Sequence, residues 1–192
     1  MSATSERRER DRAHRHRLII TAARELAEAE GWDAVTTRRL AERVEYSQPV
    51  LYSHFDGKDA IVGAVALDGF GELATHLRDA RQGAAEPGSA LRAVCGAYLD
   101  FATARPALYQ AMFTLPTDLK FASADTPPPL RACFDEFVAC YRADNERREL
   151  HAEVVWSALH GMAVLSASGR IPPSWREERL DFLDARLADT PA

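Results

Sequence analysis

The apolar positions of this 192-residue chain recur at intervals of three and four almost from end to end. That is the spacing of helices that bury one face. Runs with period two, the mark of strands, are absent, and Gly and Pro fall mainly between the periodic stretches. The pattern predicts an all-α fold of about nine helices. A first helix is expected over residues 11–30, stopped by Gly31. A second follows over 37–44, with Thr36 as N-cap and Leu40, Ala41 and Val44 turned inward. Glu45-Tyr46 makes a tight break before a short third helix over 48–55. Ser47 is its expected cap, and Pro49 sits in the first turn, where no intrahelical amide bond is lost.

The fourth helix, over 58–82, carries Phe70, Leu73, Ala74 and Leu77 on one stripe. Its Gly63, Gly69 and Gly71 each cost roughly 1 kcal/mol relative to Ala, which bending or close packing can explain. A linker over 83–88 precedes a fifth helix at 89–104, and Pro106 opens a short sixth with Leu108, Tyr109, Met112 and Phe113. The proline-rich stretch 114–129 reads as a loop. A seventh helix is expected over 130–145, an eighth over 149–168 closed by Gly169, and a ninth over 174–188 with Ser174 as N-cap. The eighth has one apolar line through Val155, Leu159, Met162 and Ser166 and another through Trp156, His160, Ala163 and Ala167. A helix apolar nearly all round is buried on several sides. One side can meet the core and another a second subunit, so Leu159 and Met162, with Leu180, Leu183 and Leu187 of the ninth helix, are the expected dimer seam.

The third helix is too short to be stable alone. Leu51 and Phe55 turn inward, while Gln48, Pro49, Tyr52 and Ser53 face outward. Such a helix makes sense when held by its neighbours and inserted into a DNA major groove. Residues 17–65 closely resemble the DNA-binding domain of the TetR (tetracycline-repressor) family of transcriptional regulators. The resemblance rests on Ile19, Ala22 and Leu26, the exit Gly31-Trp32, the Thr36 cap, Leu40-Ala41, Leu51-Tyr52, His54-Phe55 and Lys58. Where the family usually has Gly in the turn, this chain has Glu45, at a cost of roughly 1 kcal/mol if the backbone is left-handed. Thr37-Arg38 and Gln48-Pro49 look like operator-contacting residues of the family. The resemblance implies base contacts from Gln48 to adenine and Arg38 to guanine. It implies phosphate contacts from Thr37, Tyr52, His54 and Lys58, with Thr36, Ser47, Val50 and Ser53 completing the surface. The stretch around Trp156, His160 and Gly161 is similar to the WHG-type C-terminal domain of one subgroup, with support at Pro106-Ala107-Leu108-Tyr109 and Met112-Phe113.

The net charge of −5 is unevenly spread. Residues 1–59 hold eleven Lys/Arg against eleven Asp/Glu, so the acidic excess lies in residues 60–192. The first 17 residues carry six Arg and three acids. The organisation expected is a basic flexible arm over 1–14, a helix-turn-helix domain over 15–62 and an effector-binding and dimerisation domain over 63–192. The arm can reach phosphates or a minor groove, or simply keep the chain solvated.

No apolar run opens the chain, and the longest uncharged stretch, 154–169, is shorter than the ~20 residues of a membrane span. A soluble, cytoplasmic protein with no membrane partner is expected. Cys95, Cys133 and Cys140 match neither a disulfide framework nor a zinc pattern, and read as small buried hydrophobes or as a redox sensor. No catalytic motif, metal-ligand cluster or cofactor fingerprint is present in the sequence. Phe70, Tyr98, Phe101, Tyr109, Met112 and Phe113, together with Phe134, Phe137, Tyr141 and Trp156, are either ordinary core or the lining of an effector cavity. His160 is a buried hydrogen-bonded side chain or a polar anchor in that cavity.

The leading expectation is a homodimeric, ligand-responsive repressor of a pseudo-palindromic operator, released by a small, mostly apolar effector. An activator or a regulator controlled by a protein partner is the alternative, and a small-molecule-binding protein or enzyme with a vestigial helix-turn-helix comes last.

Overall fold

The computed structural model describes residues 3–85 and 87–188. Among these residues the chain forms nine α-helices and no strand. They are α1 (Ala3–Glu30), α2 (Thr37–Arg43), α3 (Gln48–Tyr52), α4 (Lys58–Gln82), α5 (Ala90–Ala104), α6 (Pro106–Phe113), α7 (Pro128–Val138), α8 (Arg148–Ala167) and α9 (Arg176–Leu187). The order is the one the periodicity predicts; the differences lie at helix ends. The expected flexible arm is helical from Ala3, while its first two residues lie outside the described ones. Nucleation is the costly step of helix formation. An Arg/Glu-rich segment that joins a helix already nucleated and packed extends it cheaply. Ser174 does not cap the last helix: it lies in a 3-10 turn, Pro173–Trp175, that leads into it. The seventh helix stops at Val138, short of the end expected, and Asn145 lies at the entry of α8, where its Oδ1 accepts the Arg147 N–H at 2.8 Å.

The chain divides into two compact units, and α4 contributes to both. The first contains residues up to Gly69 together with Ala107–Leu119. Here α1 buries Ile19, Ala22, Ala23, Leu26 and Ala27, and α4 adds Ile61, Val62, Val65 and Ala66. The boundary expected at residue 62 falls inside the unbroken α4. The short helix α6 belongs to this first unit through polar ties as well as packing. The Glu28 carboxylate accepts the N–H groups of Ala107 and Leu108 at 3.2 and 2.9 Å, capping α6 from another helix. The Trp32 indole N–H donates to the Ala107 carbonyl at 2.8 Å. A Cβ added at Gly69 would lie 2.7 Å from Met112 Sδ and 2.8 Å from Leu108 Cδ1, so this glycine permits the close approach of α4 and α6. Gly63 and Gly71 face open space.

The second unit holds residues 70–106 and 120–192. Its core joins Phe70, Leu73 and Leu77 of α4, Val94, Tyr98 and Phe101 of α5, and Leu130 and Phe137 of α7, with Ala152, Val155 and Leu159 from α8. Tyr98 meets Phe137 edge-on at 5.9 Å. Glu136 is buried yet satisfied, receiving Arg78 at 2.9 Å and Arg81 at 2.8 Å from α4. Arg92 of α5 bridges Glu177 and Asp181 of α9. The apolar character of α4 is long enough in itself to cross a membrane, yet half of that stretch is buried inside the protein. One buried stripe along the helix, from Ile61 to Leu77, accounts for the composition.

Candidate nucleic-acid interface

The helix-turn-helix is built by local chemistry. Thr36 Oγ1 accepts the Arg39 N–H at 3.2 Å and starts α2, while Leu40 and Ala41 seat it on the core. Its exit is a Schellman turn. The Tyr46 N–H donates to Ala41 O at 3.0 Å, the Glu45 N–H to Glu42 O at 3.4 Å, and Glu45 takes φ +56°. The left-handed position normally suited to glycine is thus occupied by glutamate, in the sharp break expected. Arg39 and Arg43 of α2 point back to α1, pairing with Glu30 at 2.7 Å and Glu25 at 2.9 Å, which fixes α2 rather than serving an outer surface.

Ser47 occupies the N-cap position of α3, but its hydroxyl makes no capping bond; its carbonyl accepts Val50 N–H at 3.0 Å. The helix has five residues, shorter than expected, and turn hydrogen bonds from His54 and Phe55 to Leu51 O complete it. Leu51 and Phe55 are buried, and Gln48, Pro49, Tyr52 and Ser53 are exposed, Tyr52 by 53%. Thr36, Arg38 and Ser47 are exposed as well, and Thr37, Val50, His54 and Lys58 are half-buried. All eleven residues therefore lie in one unit on or beside α2, α3 and the start of α4. Arg38 forms an exposed pair with Glu42 at 3.0 Å, an interaction weak enough to be exchanged for another acceptor.

Lys58 carries a role that the sequence did not signal. Its ammonium donates to the Trp32 carbonyl at 2.5 Å, tying the start of α4 to the turn after α1. His54 is the other unexpected environment. Its Nδ1 is buried without a hydrogen-bond partner. Burial first, then the charges of Arg12, His16 and Arg15, hold its pKa below the ordinary imidazole value. His16 in turn stacks on Phe55 at 4.4 Å.

The residues expected to line an effector cavity do not all share a unit. Tyr109, Met112 and Phe113 belong to α6 in the first, where Tyr109 and Phe113 meet at 4.8 Å. Phe70, Tyr98, Phe101, Phe134, Phe137, Tyr141, Trp156 and His160 belong to the second. There Tyr98, Phe101 and Phe137 are packed into the core, and Trp156 and His160 are half-buried on α8. Burial lowers the His160 pKa and favours a neutral imidazole.

The expected dimer seam needs correction. Leu159 and Leu180 are 0% exposed and Leu183 is also buried, so they fill the protomer's own core. Met162 and Leu187 are half-buried, and Met162 borders a surface groove with Trp175, Glu178, Arg179 and Phe182. On α8 the exposed large apolar residues are Leu150, Val154, Val164 and Leu165, on the face opposite Leu159, while Phe182 of α9 is 63% exposed in the groove beside Met162. The signal was present in the sequence as the spacing 150, 154, 161, 164, 165. An all-round apolar helix does not reveal which of its faces is spent inside.

The family model described as Bacterial regulatory proteins, tetR family, matches residues 19–65. That described as Tetracyclin repressor-like, C-terminal domain, matches residues 91–189, more than half of the chain. The chain belongs to the TetR family. It is a DNA-binding transcriptional regulator of helix-turn-helix type. Over 156 residues this TetR-family protein is 28% identical to an uncharacterised HTH-type transcriptional regulator of Mycobacterium tuberculosis, spanning 79% of this chain and 69% of that one. Over 58 residues it is 45% identical to the class A tetracycline repressor protein of Escherichia coli, spanning 30% of this chain and 27% of the repressor. A TetR of Acinetobacter baumannii AYE, solved in complex with minocycline, shares the fold. Its TM-score is 0.64 at 22% identity, covering 90% of this chain and 97% of that one.

The three cysteines of the TetR-family chain are decided by burial. It pushes each thiol up to about 12, with Cys133 donating to Phe70 O at 3.0 Å. A thiol held protonated is a poor redox sensor, which favours the reading of the buried Cys95 and Cys133 as small apolar residues. No group of His, Cys, Asp or Glu among the described residues is placed to hold a metal.

Proposed function

We propose that the protein is a homodimeric repressor that binds a pseudo-palindromic operator in the cytoplasm and is released by a small, mostly apolar effector. The observation that carries the DNA half is the exposed Gln48, Pro49 and Tyr52 surface of a helix whose inner residues, Leu51 and Phe55, are buried. Gln48 reads adenine through its N6/N7 edge, and Arg38, exchanging Glu42 for a base, reads guanine. Thr37, Tyr52, His54 and Lys58 position the helix on phosphates. In a two-fold dimer the recognition helices meet successive major grooves roughly 34–36 Å apart. Residues 15–62 form the DNA-binding part and 63–192 the effector-binding and dimerisation part. α4 is the continuous helix that runs from one into the other.

The effector half rests on the aromatic set around Phe70, Phe134, Tyr141 and Trp156, with His160 as a neutral polar handle. The ligands that the tetracycline repressor and the minocycline complex are named for belong to those proteins; they support the ligand-responsive class here and no particular ligand. To take a regulator from 99% competent to 1%, an effector must favour the incompetent state by about 5.5 kcal/mol.

The test begins with a duplex that the protein itself selects from a random pool. Gln48→Ala and Arg38→Ala should each cost roughly 1–3 kcal/mol on that duplex and far less on random DNA. Equal losses on both sink the base-reading assignment. Titrating the bound complex with candidate apolar metabolites then asks whether any releases it.

A further inference from the structure

Helix α1 outgrows the core it belongs to. Its buried line runs through Ile19, Ala23 and Leu26, and continuing that line towards the N-terminus at helical spacing reaches His16, Arg15, Arg12 and Arg8. The face that is apolar where the unit is closed thus becomes basic where the helix projects beyond it. Of the acids of this segment, Glu6 falls outside the line, while Glu9 and Asp11 border it, three residues before Arg12 and four before Arg15. The basic face also has a defined neighbour. Arg12 Nη2 reaches the Ser53 carbonyl, at 3.5 Å, and the His16 ring lies 6.1 Å from His54. Ser53 and His54 directly follow α3, so the arginines adjoin the end of the recognition helix. Arg15 is held in register by its own helix, donating to the Asp11 carbonyl at 3.2 Å.

We infer that Arg8, Arg12 and Arg15 form an accessory phosphate-binding face, which lays the projecting turns of α1 along the DNA backbone flanking the bases read by α3. The inference rests on the DNA-binding reading above and extends its footprint outward. Guanidinium groups suit the task, being permanently charged and able to grip phosphate oxygens in pairs. Presentation on a helix means that little order has to be gained on binding, unlike a disordered basic tail. Such contacts add affinity and salt dependence without sequence preference.

The experiment compares three full-length variants with the parent. Arg8→Gln/Arg12→Gln/Arg15→Gln removes the face while keeping good helix formers. Arg7→Gln/Arg10→Gln/Arg17→Gln removes the same charge from the other side of the helix, and Arg8→Lys/Arg12→Lys/Arg15→Lys keeps the charge of the face. Binding to a 40-bp duplex selected by the parent from a random pool is measured against salt concentration. Each phosphate contact contributes about 0.9 to the slope of log K against log salt, so three arginines on each of two subunits account for up to about 5. The inference expects the first variant to lose at least two units of slope and at least about tenfold in affinity at physiological salt. It expects the second to lose less than one unit and the Lys variant to stay near the parent. Equal losses in the first two variants, or a first variant within one unit of the parent, overturn it. If the parent enriches no sequence from the pool, the base-reading proposal fails instead, and a random 40-bp duplex decides the face by the same thresholds.

Discussion

At the scale of single residues, the side chains assigned to DNA also hold the domain together. Lys58 donates a charged hydrogen bond to the Trp32 carbonyl, of a kind worth about 1.5–3 kcal/mol. Lys58→Ala should therefore lower stability by about 1–2 kcal/mol and reduce the salt slope of DNA binding by about one unit per subunit. Urea unfolding and a salt titration read the two effects separately, and unchanged stability would show that the Trp32 tie is replaced by water. His54 yields a pH prediction. Its folded pKa lies below the ordinary imidazole value of about 6.5, by burial and then by Arg12, His16 and Arg15. The unfolded chain then binds more protons, so stability is fully present above about pH 6.5 and is lost as the pH falls towards the folded value. His54→Gln should flatten the fall in urea midpoint between about pH 7 and 5. It should not abolish it, since His160 is depressed in the same direction. An identical slope in parent and variant refutes the assignment.

At the scale of elements, the nine helices of the described residues were readable in order because helical periodicity is local, as are the Thr36 cap and the Glu45 turn. What could not be read depended on contacts distant in sequence. Nothing near Pro106 announces that Glu28, about 80 residues earlier, caps α6. Nothing near Gly69 announces Met112. The glycines of α4 make that difference measurable. Gly63→Ala and Gly71→Ala place a methyl in open space and should each stabilise the protein by about 1 kcal/mol, the helix propensity gained. Gly69→Ala drives its methyl against Met112 Sδ and Leu108 Cδ1 and should destabilise by about 1–3 kcal/mol in spite of that gain. Three melting curves suffice. A stabilised Gly69→Ala would mean that the Met112 and Leu108 side chains yield freely and that α4 and α6 are not tightly fitted.

At the scale of the whole molecule, the proposed dimer turns on which apolar surface the fold leaves for a second copy. The exposed outer surface of α3 was legible in the sequence, because a short surface helix keeps its pattern there, whereas the Lys58 tie to Trp32 and the buried Nδ1 of His54 were not. The association surface was not, because α8 is apolar on several faces and only packing reveals which is used up. Leu159 and Leu180 are spent inside the second unit, so a charge at Leu183, beside them, attacks the fold itself. Val154, Val164 and Leu165 lie on the opposite face of α8, 39–45% exposed, with Gly161 between them. An exposed apolar face of that kind favours burial against another copy. Two outcomes separate the surfaces. Val164→Glu should shift sedimentation from dimer to monomer, with helical content and melting temperature of the protomer retained, and should lose tight binding to a two-half-site duplex. Leu183→Glu should lower stability by several kcal/mol, the cost of an unpaired buried charge, whatever the assembly state. A Val164→Glu protein that still sediments as a dimer would move the interface off this face of α8, and a parent that is monomeric would remove the two-fold operator with it.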